Sequence, residues 1–140
     1  MFKCILLCLM AAIVMVFADT IKIESPTSDK YFGPGSVIEF KYTVQRGGNG
    51  LMKEASAKLV HVATNKPVGS FPSIKWSMGQ GDTISRKWKV PNKHKLKAGE
   101  YKLIVTGKGV HNVVSQSGPV EMTFAPAEVT FHINGVRKTN

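Results

Sequence analysis

Val37-Ile38-Glu39-Phe40-Lys41-Tyr42-Thr43-Val44-Gln45-Arg46 alternates apolar and polar residues almost without a break. Successive side chains of an extended chain point to opposite faces, so Ile38, Phe40, Tyr42 and Val44 share one side and Glu39, Lys41, Thr43 and Gln45 the other. That pattern predicts a half-buried strand. Gly47-Gly48-Asn49-Gly50 ends it, and Pro34-Gly35 precedes it. The same period recurs on both sides. Thr20-Ile21-Lys22-Ile23-Glu24-Ser25 alternates, Ala55 to Ala63 forms a third run, and Thr64-Asn65-Lys66-Pro67-Val68-Gly69 reads as a turn. Ile84 to Val90 sets Ile84, Trp88 and Val90 against Lys87 and Lys89. Tyr101, Leu103 and Val105, then Val120 to Phe124 and Val129 to Ile133, complete the set.

No segment carries apolar residues at helical spacing over three turns. About seven short strands separated by Gly, Pro, Asn and Ser predict an all-β fold, an immunoglobulin- or fibronectin-III-like antiparallel sandwich. Two stretches stay unassigned by pattern: Phe71 to Asp82, with Trp76 among Pro, Ser and Gly, and Gly107 to Gly118, a long loop or a strand broken by a bulge. Trp88 and Tyr101, in clean alternation, are expected in the core. Phe32 and Phe71 lie in loop-like sequence.

The chain begins Met1-Phe2-Lys3, then runs through fifteen apolar residues from Cys4 to Ala18. Val16 and Ala18 stand at the −3 and −1 positions of a cleavage site before Asp19. This predicts a secretory signal peptide over residues 1–18 and a single domain over 19–140. A helix of fifteen residues at about 1.5 Å each falls short of a hydrocarbon core of about 30 Å, which argues against a membrane anchor. Both cysteines, Cys4 and Cys8, lie in the leader. The expected mature chain therefore has no disulfide, Cys-based zinc site or thiol nucleophile, and is held by its core alone. The polar C-terminal stretch to Asn140 carries no lipid-anchor signal, so the expected product is free and secreted.

With 43% hydrophobic and 20% charged residues, the composition is that of a globular domain, and it excludes a disordered tail or collagen-like fibre. The charge is uneven: nineteen Lys and Arg against nine Asp and Glu give +10. The densest basic segment is Arg86-Lys87-Trp88-Lys89-Val90-Pro91-Asn92-Lys93-His94-Lys95-Leu96-Lys97. Arg86, Lys87, Lys89, Lys93, Lys95 and Lys97 are candidate contacts for a polyanion. Lysine suits a loose, multivalent footing, whereas bidentate recognition favours arginine. Secretion directs such a surface to acidic polysaccharide or another extracellular polyanion rather than to nucleic acid. Lysines on strands also keep sheet edges from pairing, which is the structural alternative. Trp76, with Lys75 and Gln80 nearby, is the candidate platform for stacking on a sugar ring; a loop aromatic tucked over the sandwich end is its alternative.

Catalytic signals are missing from the pattern. His61, His94, His111 and His132 have no metal-ligand spacing, and Asp19 rather than His would head the mature chain. The nine carboxylates are scattered, where a glycosidase needs two facing each other. No G-x-S-x-G setting occurs. The sequence is read as a non-enzyme that calls for no cofactor and no metal.

The order of signals carries a resemblance. Ile21-Lys22-Ile23-Glu24-Ser25-Pro26-Thr27 and Tyr31-Phe32-Gly33-Pro34-Gly35-Ser36-Val37 are followed by Trp88-Lys89-Val90-Pro91, Ala98-Gly99-Glu100-Tyr101 and Gly118-Pro119-Val120. This resembles the immunoglobulin-like N-terminal module of fungal secreted cell-wall proteins, the Kre/Knh family, which also occurs in Ser/Thr-rich GPI-anchored wall proteins. The similarity spans roughly Ile21 to Phe124. It implies a role outside the cell in fungal wall organisation, chiefly of β-1,6-glucan, and brings no catalytic residues. The chain departs from that pattern in lacking the Ser/Thr-rich tail and anchor signal. A freestanding module of this kind is expected to bind wall polysaccharide, or, as an effector-like protein, to bind a host protein through a sheet edge or the end loops.

Overall fold

A computed structural model describes residues 19–45, 47, 50–75, 83–92, 96–112 and 118–134. Nine strands occur among them, and no helix: β1 (Thr20–Ser25), β2 (Tyr31–Phe32), β3 (Val37–Gln45), β4 (Gly50–His61), β5 (Lys66–Lys75), β6 (Thr83–Lys89), β7 (Gly99–Asn112), β8 (Pro119–Thr123) and β9 (Ala127–Ile133). They form two sheets of a sandwich. The smaller has the order β1-β3-β6; the larger runs β2-β9-β7-β4-β5, with β8 added to β7 beyond the start of β9. All pairs are antiparallel except β2 with β9, where Tyr31 and Phe32 run alongside His132 and Ile133. The expected leader, residues 1–18, lies outside the described residues.

The core follows the alternation. Ile38, Phe40, Tyr42 and Val44 of β3 are buried, facing Leu59 of β4, Leu103 and Val105 of β7 and Phe131 of β9. Burying a side chain of this size stabilises the fold by about 1.5–3 kcal/mol, and this cluster holds the layers together. Tyr101 is buried as expected. Trp88 is half-buried, packed on the core and stacked with Phe40 at 6.3 Å.

Two expectations are corrected, and one left open is decided. The turn after β4 is shorter than the sequence suggested, because Lys66 already pairs with His61 and β5 continues through Phe71 to Lys75. Pro67 and Pro72 are tolerated there because β5 is the edge of its sheet and its register with β4 is irregular at each of them. Of the two readings left open for Gly107 to Gly118, the strand with an irregularity holds for its first part: Gly107 to Asn112 is the far half of β7, paired with both β4 and β8, with a register shift opposite Lys108 and Gly109. Phe71 and Phe32, loop-like in sequence, sit on strands. Phe71 packs edge-on against Phe40 at 5.2 Å, and Phe32 against Phe131 at 5.6 Å.

Candidate binding surfaces

The basic segment divides when folded. On β6, Thr83, Ser85, Lys87 and Lys89 are exposed, while Ile84, Arg86 and Trp88 face inward. Arg86, named among the candidate contacts, is thus half-buried and on the opposite side from Lys87 and Lys89: the same period that exposes Lys87 turns its neighbour toward the core. Its guanidinium lies near the Tyr42 phenol. Burial pushes that phenol's pKa up, and the positive charge of Arg86 opposes the shift.

Lys87 and Lys89 belong to the outer face of the smaller sheet. β1 contributes Lys22 and Glu24, and β3 contributes Glu39, Lys41 and Thr43. Both glutamates are engaged. Glu24 lies 3.4 Å from Lys41 Nζ and accepts the Thr43 hydroxyl at 3.2 Å. Glu39 accepts the Ser85 hydroxyl at 2.6 Å and stands across the ladder from Lys87. Lys89 stands opposite Val37, so its cross-strand neighbour offers no counter-charge. Thr43 and Thr83 hydroxyls meet at 3.1 Å. The result is a surface of hydroxyls, ammonium groups and two carboxylates, with Val37 exposed at its edge.

Lys97 goes elsewhere. With Lys66, Val68, Leu96, His61 and Tyr101 it lines a groove of about 240 Å³ at the end of the sandwich where β4 finishes and β7 starts. His61 is buried there, its Nδ1 2.9 Å from the Thr64 hydroxyl and its ring 4.9 Å from that of Tyr101. Tyr101 in turn donates its hydroxyl to the Lys97 carbonyl. These contacts give the imidazole a structural role. Lys93, Lys95, Trp76 and Gln80 lie outside the described residues.

Two surfaces carry no local signal in the sequence, because their residues come from separate strands. A groove of about 730 Å³ on β4, β7 and β8 is lined by Lys53, Glu54, Lys108, Val110, Glu121 and Thr123, two cations beside two anions. At the opposite end of the larger sheet, Tyr31 is 65% exposed and stacks on His132, centroids 4.6 Å apart and planes within 11°. His132 Nε2 lies 3.9 Å from Glu100 Oε1. Nearby, Asp29 accepts the Thr27 hydroxyl at 2.6 Å, and this bond holds its carboxyl below its ordinary pKa. Among the described residues no three His, Cys, Asp or Glu side chains group as metal ligands.

No family model and no curated protein matches the chain. Among solved structures it is similar to the fibronectin(III)-like modules of Clostridium thermocellum CbhA, at 12% identity and a TM-score of 0.51. That match covers 89% of this chain and 51% of the other, so the chain spans about half of the structure it matches. A β-glucosidase from Listeria innocua, solved in complex with glucose, matches at 13% identity and a TM-score of 0.44, covering 86% of this chain and 16% of that one. The fold is therefore fibronectin-III-like.

Proposed function

We propose that this chain is a secreted, non-catalytic binding module that attaches to anionic polysaccharide of a fungal cell wall. The observation that carries the reading is the outer face of the smaller sheet, where Lys22, Lys87 and Lys89 share one surface with Lys41, which pairs with Glu24, and with Glu39, which accepts the Ser85 hydroxyl. Such a face offers many weak charge contacts and no enclosed pocket. That suits a repetitive polyanion better than a single small molecule. The hydroxyls of Thr43, Thr83 and Ser85 add partners for sugar hydroxyls. The Kre/Knh-like order of signals supports a wall setting, and the leader supports export.

Retention on phosphorylated mannan, polygalacturonate, chitin and β-glucan at rising salt tests the reading. Retention on the acidic polymers is expected to fall steeply as salt screens charge over about 10 Å or less. Replacing Lys87 and Lys89 together by Ser should weaken it with little change in Tm. Salt-independent retention, or none on any acidic polymer, would remove the mechanism.

A further inference from the structure

A second surface, on the larger sheet, has different chemistry. Tyr31 is a large aromatic left 65% open to solvent, yet it is held firmly. It sits on β2, whose pairing with β9 is reinforced by bonds from His132 N–H to the Lys30 carbonyl (3.0 Å) and from Asn134 N–H to the Phe32 carbonyl (2.8 Å). Its neighbour Phe32 is wedged edge-on against buried Phe131. The stack on His132 fixes the plane of the phenol, and Glu100, directly across the ladder from His132, places a carboxylate on the same face.

We infer that Tyr31, His132 and Glu100 form a subsite for a neutral pyranose ring. His132 covers one face of the Tyr31 ring, so the C–H face of the sugar meets the other, open face, and the phenol hydroxyl and the Glu100 carboxylate at the rim of the stack supply partners for ring hydroxyls, while His132 holds the phenol in place. The preset orientation lowers the ordering cost of binding. A polyanion is the poorer fit, because Glu100 lies within the cluster. The lysine face belongs to the other sheet, so the module would hold glycan on two opposite surfaces, one by charge and one by stacking. This inference rests on the reading of the chain as a glycan binder.

The experiment titrates the protein with neutral gluco-oligosaccharides, β-1,3- and β-1,6-linked, in 0.5 M NaCl to suppress the lysine contribution. Affinity is measured by calorimetry, and the site is located by amide chemical shifts. Expected shifts cluster at Tyr31, His132 and Glu100. Tyr31→Ala should weaken binding about tenfold or more, Tyr31→Trp should keep it, and the Lys87→Ser, Lys89→Ser pair should leave it unchanged. If Tyr31→Ala loses its fold by circular dichroism, Glu100→Gln serves instead and should weaken binding several-fold. Unchanged affinity in Tyr31→Ala or Glu100→Gln, shifts centred elsewhere, or no binding of neutral oligosaccharide while salt-sensitive retention persists would each overturn the subsite. Loss of the salt-sensitive retention alone would overturn only the lysine-face mechanism.

Discussion

Tyr101 donates its hydroxyl to the backbone carbonyl of Lys97, four residues earlier, and so closes the corner through which the chain enters β7. The arrangement is the tyrosine corner of Greek-key sandwiches. Tyr101→Phe leaves the ring in the core and strips that carbonyl of its donor. Urea denaturation should show a loss of about 1–2 kcal/mol. Lys97→Ser should cost far less, since the corner uses the carbonyl and not the ammonium group; equal losses would refute this assignment.

Asp19 ties the start of the described chain to the β3–β4 connection. One carboxylate oxygen accepts Gly47 N–H and the other Met52 N–H, each at 2.8 Å, and the residue is buried. Asparagine has one acceptor oxygen, and its amide nitrogen would confront a backbone donor. Asp19→Asn should lower stability by about 1–3 kcal/mol, seen as an earlier denaturation midpoint with an unchanged m-value. A neutral outcome would mean that the two amides find water instead.

Glycines in β7 separate by what a methyl group would strike. At Gly109 an added Cβ would run into the Leu51 carbonyl and lie 2.8 Å from Met52 Cα, where backbone has to yield. At Gly107 it meets the Met52 thioether end, which has rotamers to spare. At Gly33 it meets nothing within 4 Å. Thermal melts should rank Gly109→Ala as the most damaging, by about 1–3 kcal/mol, then Gly107→Ala, with Gly33→Ala near wild type.

Alkaline pH should weaken the fold in a defined window. Burial raises the pKa of Tyr42 and Tyr101 above the ordinary 10.0. Above pH 10 the unfolded chain releases protons that the folded chain still holds, so rising pH favours unfolding. This contribution is complete below pH 10 and fades as pH climbs through the raised values. Tyr42→Phe should flatten the decline of Tm above pH 10; an identical slope would show that the phenol is not responsible.

The period of two made β1, β3, β6 and the first half of β7 legible, and with them the core and the outward aim of Lys87 and Lys89. It equally implied that Arg86 turns inward, but a count of charges along the segment hid this. β5 escaped because Pro67, Gly69 and Pro72 read as punctuation, and the edge position and irregular register that accommodate the prolines are visible only in the fold. β2 has two residues, too few for any period. Tyr31 and His132 lie nearly the whole domain apart in sequence and meet only through a parallel pairing, so no local spacing could announce the stack.

The course of β1 and β9 has a mechanical consequence. β1 sets out beside the β3–β4 connection held by Asp19, and β9 finishes at the far end of the sandwich, next to β2. Traction applied at those two points would run lengthwise along the strands. Ladder bonds would then bear the strain together instead of parting one after another like a zip.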